Sequence, residues 1–476
     1  MDAGTAVRPQ NIAVDLDGTL IATDLLWESG LRYLMSSPAA PFRAVGMLSR
    51  GKSALKTSIA AEVDLDPELL PYRADVVAWL RSAKDDGARI VLATAAARPY
   101  AEGVAEHLGL FEAVIATDLG GPNMRSGAKA AAIDDHFDGE PWLYVGDSHA
   151  DLAVWRGASA AVTAEAPPRV RSAVDRMDIP ATHLESPQTS TARAWAKQLR
   201  IHQWIKNILV LLPLVTSHLW TVTAIVDSLV AFLAFGFAAS SVYVWNDLRD
   251  LDTDRAHRTK RRRPLAAGRL PIPQAVVVAV VLAILSLVLS AIVGWLFLVC
   301  ILVYVVVTTV YTAYLKRKLI ADVVTLAVLY TWRIVAGCAA VMVAPSIWLL
   351  AFSIFLFFSL AVMKRYAELV NHESNAKGRG YENADAPVLL STGISAGLVA
   401  TLVLVLYLDS PQVTRLYENP IVMWALVPLV LYWLTRTWSL AGRKKMDDDP
   451  ILFAARDRVS LMVVALAAVV VVIASL

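Results

Sequence analysis

The chain has 476 residues, 57% of them apolar and 18% charged, with a mean hydropathy of +0.52. Soluble globular domains run at about 45–50% apolar and about 25% charged, so this composition argues against an ordinary soluble enzyme. The net charge of +2 conceals a split: residues 1–190 carry 17 Lys and Arg against 26 Asp and Glu, and the remainder carries 27 against 16. The basic half holds its charge in short clusters between apolar runs, which argues against a nucleic-acid-binding surface. Cys300 and Cys338 both lie inside apolar runs, so a disulfide framework and a metal-thiolate centre are excluded as well.

In chain order, residues 10–16 read as a short buried strand ending at an acidic turn. Residues 88–94 and 141–146 repeat that form, with helical patterns such as 74–85 and 100–108 between them. Strands alternating with helices predict a parallel sheet covered on both faces, an α/β Rossmann-like domain. The segment 20–80 has helical periodicity and reads as an inserted cap. The acidic first 30 residues, with an apolar stretch no longer than that around Ile12–Val14, do not fit a signal-peptide core, so this half is expected in the cytoplasm. The stretch 161–195 is rich in Ala, Pro, Ser and Thr and reads as the last sheet elements followed by a linker.

From residue 203 onward nine apolar segments follow, at about 203–219, 224–245, 272–292, 294–314, 320–343, 346–363, 388–408, 420–438 and 458–476. Most approach the ~20 residues a bilayer helix needs; the first and sixth are short or interrupted. Basic residues cluster in loops 246–271, 315–319, 364–387 (Lys364, Arg365, Lys377, Arg379) and 439–457. Nine alternating helices put all four loops on the side of residue 190, as the positive-inside rule requires. An all-α nine-helix transmembrane bundle in the cell membrane, with the acidic half cytoplasmic, is the expected architecture.

The chemistry of the first half starts at Asp15-Leu-Asp17-Gly-Thr-Leu, at the carboxyl end of the first strand, the edge where open parallel sheets place ligands. Two carboxylates one residue apart can hold Mg²⁺ and present an oxygen nucleophile. Thr94 ends the second strand and can hydrogen-bond a phosphoryl oxygen. Lys129 can neutralise the nucleophile and phosphate, and Asp147 and Asp151 in Gly-Asp-Ser-His-Ala-Asp add carboxylates for the cation. This set resembles the haloacid dehalogenase (HAD) superfamily of phosphatases over about residues 8–165. The resemblance implies that Asp15 is the nucleophile, Asp17 the general acid/base and Thr94 and Lys129 the phosphate ligands. It also implies Mg²⁺ held by Asp15, Asp17, Asp147 and Asp151.

In the second half, Asn246-Asp247-Leu-Arg-Asp250-Leu-Asp-Thr-Asp254-Arg255 closes the second apolar segment. Asp247, Asp250 and Asp254, three and four apart, share one helical face. At ~6 Å and an effective dielectric near 20, each adjacent pair repels by about 3 kcal/mol, so the face calls for a positive partner. Mg²⁺ carrying a diphosphate is the natural one, and the downstream run from His257 to Gly268 supplies Arg and Lys that clamp phosphates. This pattern resembles the UbiA superfamily of intramembrane transferases over about residues 195–476. Within it the chain resembles the decaprenyl-phosphate phosphoribosyltransferases, on Gln203-Trp204-Ile-Lys206-Asn207, Asp-Arg-Ala-His-Arg-Thr-Lys and Lys364-Arg365-Tyr366-Ala367-Glu368-Leu369.

Two departures stand out. Tyr311 and Lys316 are one residue further apart than the superfamily's Tyr-x-x-x-Lys. The usual second Asp-rich motif is replaced by Lys364-Arg365-x-x-Glu368, which suits substrates with more phosphates.

The resemblance implies phosphoribosyl pyrophosphate as donor, a polyprenyl phosphate as acceptor and Mg²⁺ in both halves. Asn246, Asp247, Asp250 and Asp254 would hold the metal-diphosphate, with Asp247, Asp250 and Asp254 catalytic. Lys206, Asn207, Lys260, Arg263, Lys316, Lys364, Arg365 and Glu368 would bind substrate. The expected domains are 1–185 (phosphatase), 186–202 (linker) and 203–476 (transferase). Alternatives at this point are a prenyltransferase using an isoprenyl diphosphate and an aromatic or other acceptor, and a non-catalytic membrane scaffold. Oligomeric state stays open, a homo-oligomer included. Asp322 and Arg333 are read equally as functional or structural, and Tyr381 as solvated.

Overall fold

The computed structural model describes residues 11–37, 39–49, 52–118, 124, 126–184, 190–371, 380–446 and 449–476. Gln10 of the expected first strand, residues 186–189 of the expected linker, and Lys377 and Arg379 lie outside the described residues. The chain forms two compact units, Met1–Leu199 with Val244–Val278, and Arg200–Tyr243 with Ala279–Leu476.

The first unit is built on six parallel strands, β1 (Asn11–Val14), β2 (Arg89–Ala97), β3 (Ala113–Thr117), β4 (Trp142–Gly146), β5 (Ala160–Ala164) and β6 (Ala181–Leu184). Their order is β3-β2-β1-β4-β5-β6. β1 is buried from end to end, which explains its continuous apolar run. Side chains still alternate between faces. Ile12, Val14, Ile90, Leu92, Leu143 and Val145 pack into one core. Ala13, Val91, Ala93 and Tyr144 pack with Phe137 and Trp155 into the other. The strand order reverses at β1 and β4, so the crevice beyond their carboxyl ends is the ligand position of such sheets.

The cap consists of helices Leu25–Ser36, Ala40–Leu48 and Lys52–Glu62. Asp24 starts the first by accepting from the Leu26 and Trp27 N–H groups at 2.8 and 3.2 Å. Helix Ala74–Asp85 returns to the sheet and buries Val76, Val77, Leu80 and Ala83.

Among the described residues, eight helices are long and apolar enough to cross a membrane. They are Val222–Arg249, Ile272–Val293, Trp295–Ala313, Ala321–Ala340, Ile347–Asn371, Asn383–Leu408, Pro420–Gly442 and Arg458–Ser475. The first expected segment, 203–219, is different in kind: Ile201–Val210 is a 3₁₀-helix, followed by the short α-helix Leu212–Thr216 with Pro213 in its first turn. A 3₁₀-helix rises ~2.0 Å per residue, so this stretch reaches about 28 Å, close to the ~30 Å of a hydrocarbon core.

The sixth expected segment runs on as helix Ile347–Asn371, past Lys364, Arg365 and Glu368, because Arg365 and Glu368 pair one turn apart at 2.7 Å. Ala321–Ala340 has 56% of its apolar stretch buried, against 17% for Arg458–Ser475, so the helix carrying Asp322 and Arg333 lies at the centre of its unit.

Candidate functional site

Asp15 follows β1 directly, and the turn after it is pressed against the end of β4. Gly18 has φ +79°, and a Cβ there would collide with the Asp147 carboxylate. Lys129, from helix Gly127–His136, donates to Asp15 Oδ1 at 2.8 Å and to the Tyr144 hydroxyl at 2.9 Å. Tyr144 in turn donates to Asp151 Oδ1 at 2.8 Å. The other Asp151 oxygen accepts from the Ser148 N–H and hydroxyl at 3.0 and 2.9 Å. Thr19 donates to Asp147 at 3.2 Å. Thr94, expected to end the second strand, is fully buried inside β2, which runs on to Ala97, and its hydroxyl oxygen accepts from the Ala96 N–H at 3.0 Å.

The ligand oxygens of Asp15, Asp147 and Asp151 lie within 4.8 Å of one another, the one such acidic group among the described residues. Asp17, expected with the metal ligands, lies outside it; its Oδ1 accepts from the Leu25 N–H at 2.8 Å, which ties the turn to the cap.

Burial pushes Asp15 up to about 6, against the pull of Lys129. Burial, then Asp15 and Asp151, push Asp147 up to about 7. Burial, then Asp24, hold the Asp17 carboxyl well above the usual carboxylate range. Lys129 stays above its ordinary value because Asp15 and Asp151 outweigh its burial. Three carboxylates, two of them buried and Asp147 half-buried, offer hard oxygen donors that fit a divalent cation such as Mg²⁺.

The second acidic group also belongs to the first unit. Helix Val222–Arg249 ends, Asp250 forms the joint, and Leu251–Ala256 begins a short helix. Asp247 and Asp254 are buried, and the positive partner between them is Arg263, whose Nη1 donates to Asp247 at 2.9 Å and to Asp254 at 2.6 Å. Gln198 donates to the second Asp247 oxygen at 2.8 Å. Lys260 stands 3.9 Å from Asp254. Burial raises the Asp254 carboxyl, with Arg263 opposing. Asn246 and Asp250 lie half-buried on the same turn.

The turn is anchored to the cap. Arg255 donates both Nη groups to Glu28, at 3.1 and 2.6 Å, and its Nε to the Ala266 carbonyl at 3.1 Å. Gly268, at φ +67°, lies against the Ala22 carbonyl with no space for a Cβ.

The second unit gathers the remaining candidates. Lys206 donates to Asp449 at 2.5 Å, and Lys364 lies 3.8 Å from the same carboxylate. Lys206 and Lys364 together hold Asp449 below the usual carboxylate range despite its burial. Arg365 pairs with Asp322 and Glu368 and donates to the Tyr311 hydroxyl at 3.2 Å. Tyr381, expected in solvent, is buried with its hydroxyl on Asp322. Asn207 accepts from Arg333 Nε at 3.2 Å. Lys316 lies on the short turn Leu315–Arg317. Asp322 and Arg333 do not pair with each other.

A model described as the UbiA prenyltransferase family matches residues 210–474. The chain belongs to the UbiA prenyltransferase family. It is a multi-pass membrane enzyme of that family with a second domain at its N-terminus, where a model of the haloacid dehalogenase-like hydrolases matches residues 12–156. Among its relatives, the Sinorhizobium fredii "Uncharacterized protein y4nM" is 35% identical over 97% of this chain and 90% of its own length. The Azorhizobium caulinodans "Nodulation protein NoeC" is 31% identical over 56% of this chain and 89% of its own. The Corynebacterium glutamicum decaprenyl-phosphate phosphoribosyltransferase is 33% identical over 39% of this chain and 58% of its own. The UbiA part and the hydrolase part thus carry the two acidic groups found above.

Proposed function

We propose that the UbiA part transfers 5-phosphoribose from phosphoribosyl pyrophosphate to a polyprenyl phosphate, and that the hydrolase domain then removes the 5-phosphate. The observation that carries this reading is the pairing in one chain of a phosphatase-type acidic site with a transferase similar to decaprenyl-phosphate phosphoribosyltransferase. The Lys364 and Arg365 cations where a second acidic motif is usual, with Lys206 beside Lys364 on Asp449, support a phosphate-rich substrate pair.

In the transfer, the acceptor phosphate oxygen bonds to C1 of the ribose and the C1–diphosphate bond breaks, releasing pyrophosphate. Asn246, Asp247, Asp250 and Asp254 would hold Mg²⁺ with the diphosphate, and Mg²⁺ would supply charge neutralisation to the leaving group. Arg263 and Lys260 are already on that turn to meet the phosphate oxygens. In the hydrolase domain Asp15 attacks phosphorus and the sugar hydroxyl leaves with the proton held by Asp17. Water then releases phosphate from Asp15, with Asp17 taking its proton. Lys129 and Thr94 hold the phosphoryl oxygens. Mg²⁺ on Asp15, Asp147 and Asp151 would offset charge there. We place this domain on the cytoplasmic side of the cell membrane, where the basic loops point.

The test is the full-length protein in lipid nanodiscs with polyprenyl phosphate and donor labelled separately in ribose carbon and 5-phosphate. Ribose label in the lipid phase without 5-phosphate label is expected, and both labels together for Asp15→Asn. Ribose label that never enters the lipid overturns the reading. Prenylation of an aromatic acceptor from an isoprenyl diphosphate in the same discs would overturn it too.

A further inference from the structure

Arg333 sits deep in the central helix Ala321–Ala340 and is 5% exposed. Its guanidinium donates to Asn207 Oδ1 at 3.2 Å, to the Leu329 carbonyl at 2.7 Å and to the Tyr304 hydroxyl at 3.3 Å. All three acceptors are neutral. Among the described residues no carboxylate pairs with it. A permanent cation inside a membrane protein without a counter-charge is costly and marks a functional position by default.

A second observation points the same way. Asn207 is 2% exposed; its Oδ1 is taken by Arg333, and its Nδ2 has no hydrogen-bond partner. A buried amide donor left unmade costs about 1–3 kcal/mol. The two groups are joined through one amide, so a missing negative charge and a missing acceptor are neighbours. Around them the rings of Phe235, Tyr304 and Tyr330 stand 5.2, 5.2 and 5.5 Å from the guanidinium carbon. The Lys206 ammonium lies 5.8 Å from the same Tyr330 ring.

We propose that Arg333 and Asn207 form the headgroup site of the acceptor, a lipid phosphate monoester whose oxygens take the guanidinium charge and the Asn207 amide protons. This deepens, and rests on, the reading of the protein as a transferase to a polyprenyl phosphate. A site made of a guanidinium, an amide and aromatic rings, without carboxylates of its own, matches a monophosphate on an apolar chain. A metal-bound diphosphate would call for carboxylates instead. The rings give the first isoprene units an apolar wall.

The experiment uses the full chain in nanodiscs with farnesyl phosphate as the probe, farnesol and inorganic phosphate as controls, and two variants. Asn207→Asp fills the missing charge with a carboxylate of the same size and is chosen to fold; Arg333→Met removes the cation. Binding of farnesyl phosphate but not farnesol is expected. It should weaken about tenfold or more in Asn207→Asp, the range of a charge-assisted hydrogen bond. The KM for polyprenyl phosphate should rise in step while that for phosphoribosyl pyrophosphate stays put. Unchanged acceptor KM and farnesyl phosphate affinity in a folded Asn207→Asp would overturn the site even if ribose transfer is observed. Inorganic phosphate competing as well as farnesyl phosphate would overturn the lipid assignment. Tight, Asn207-dependent farnesyl phosphate binding without ribose transfer would leave this site standing and remove the donor assignment instead.

Discussion

The two acidic groups of the first unit solve the same electrostatic problem in different ways. At the end of β1 and β4, three carboxylates crowd within 4.8 Å with Lys129 donating to Asp15, and the protons of Asp15 and Asp147 are held to about pH 6 and 7. At the Asp247–Asp254 turn, Arg263 already bridges two carboxylates, and Gln198 fills a further lone pair. The first group is arranged for a cation to enter. In the second, a chain cation occupies that place, and on the proposed reading a metal-diphosphate would draw Arg263 off the carboxylates and onto phosphate.

The largest effect that would sharpen this contrast is on turnover. Asp15→Asn should reduce phosphate release from a simple phosphomonoester by about a thousandfold or more, as loss of a nucleophile does, while transfer activity persists. Equal loss of both activities would break the separation into two sites. Next comes the anchor between cap and turn. Glu28 and Arg255 are buried, so Glu28→Gln should cost roughly 3–5 kcal/mol in chemical unfolding. A double change to Met at both positions should recover much of that. A loss under ~1 kcal/mol, the range of surface ion pairs, would show that the pair is not buried in solution.

Opening the bridge is a smaller effect. Arg263→Gln should let the turn bind Mn²⁺ without substrate, about tenfold tighter than the parent, because one positive neighbour is gone; electron paramagnetic resonance of free Mn²⁺ reads this directly. The smallest is a pH slope. Asp15 and Asp147 are raised above their unfolded value of 3.8, so between about pH 4 and 7 the folded chain holds protons the unfolded chain has released. Without metal, stability should therefore fall as pH rises through that window and level off above it. Saturating Mg²⁺ should flatten or reverse the slope, since it favours the ionised carboxylates. Thermal unfolding from pH 5 to 8, with and without Mg²⁺, checks the sign.

Much of this was legible in the residues. Asp15, Asp147 and Asp151 sit just past apolar runs that can only be central strands, so their meeting at one sheet edge follows from topology. The extension of β2 to Ala97 was not legible, because alanine carries little β signal. Tyr144 reads as one more buried strand residue, and only the fold shows its hydroxyl between Lys129 and Asp151.

Partners far apart in sequence were hidden for the same reason. Asp449 lies in a basic loop, yet it takes the charge of Lys206, 243 residues away. Tyr381 looks solvated until Asp322 arrives from another helix. The 3₁₀ form of Ile201–Val210 was not legible either, because an apolar run reads the same for a 3₁₀-helix as for an α-helix.

The central claim is that one chain both loads a pentose phosphate onto a lipid phosphate and trims it. Mass spectrometry of lipids extracted after incubating the purified protein with phosphoribosyl pyrophosphate and a defined polyprenyl phosphate tests it most directly. The account predicts a polyprenyl-phosphoryl-ribose from the parent and the same lipid heavier by one phosphate from Asp15→Asn. Recovery of only the unmodified polyprenyl phosphate from both proteins would contradict it.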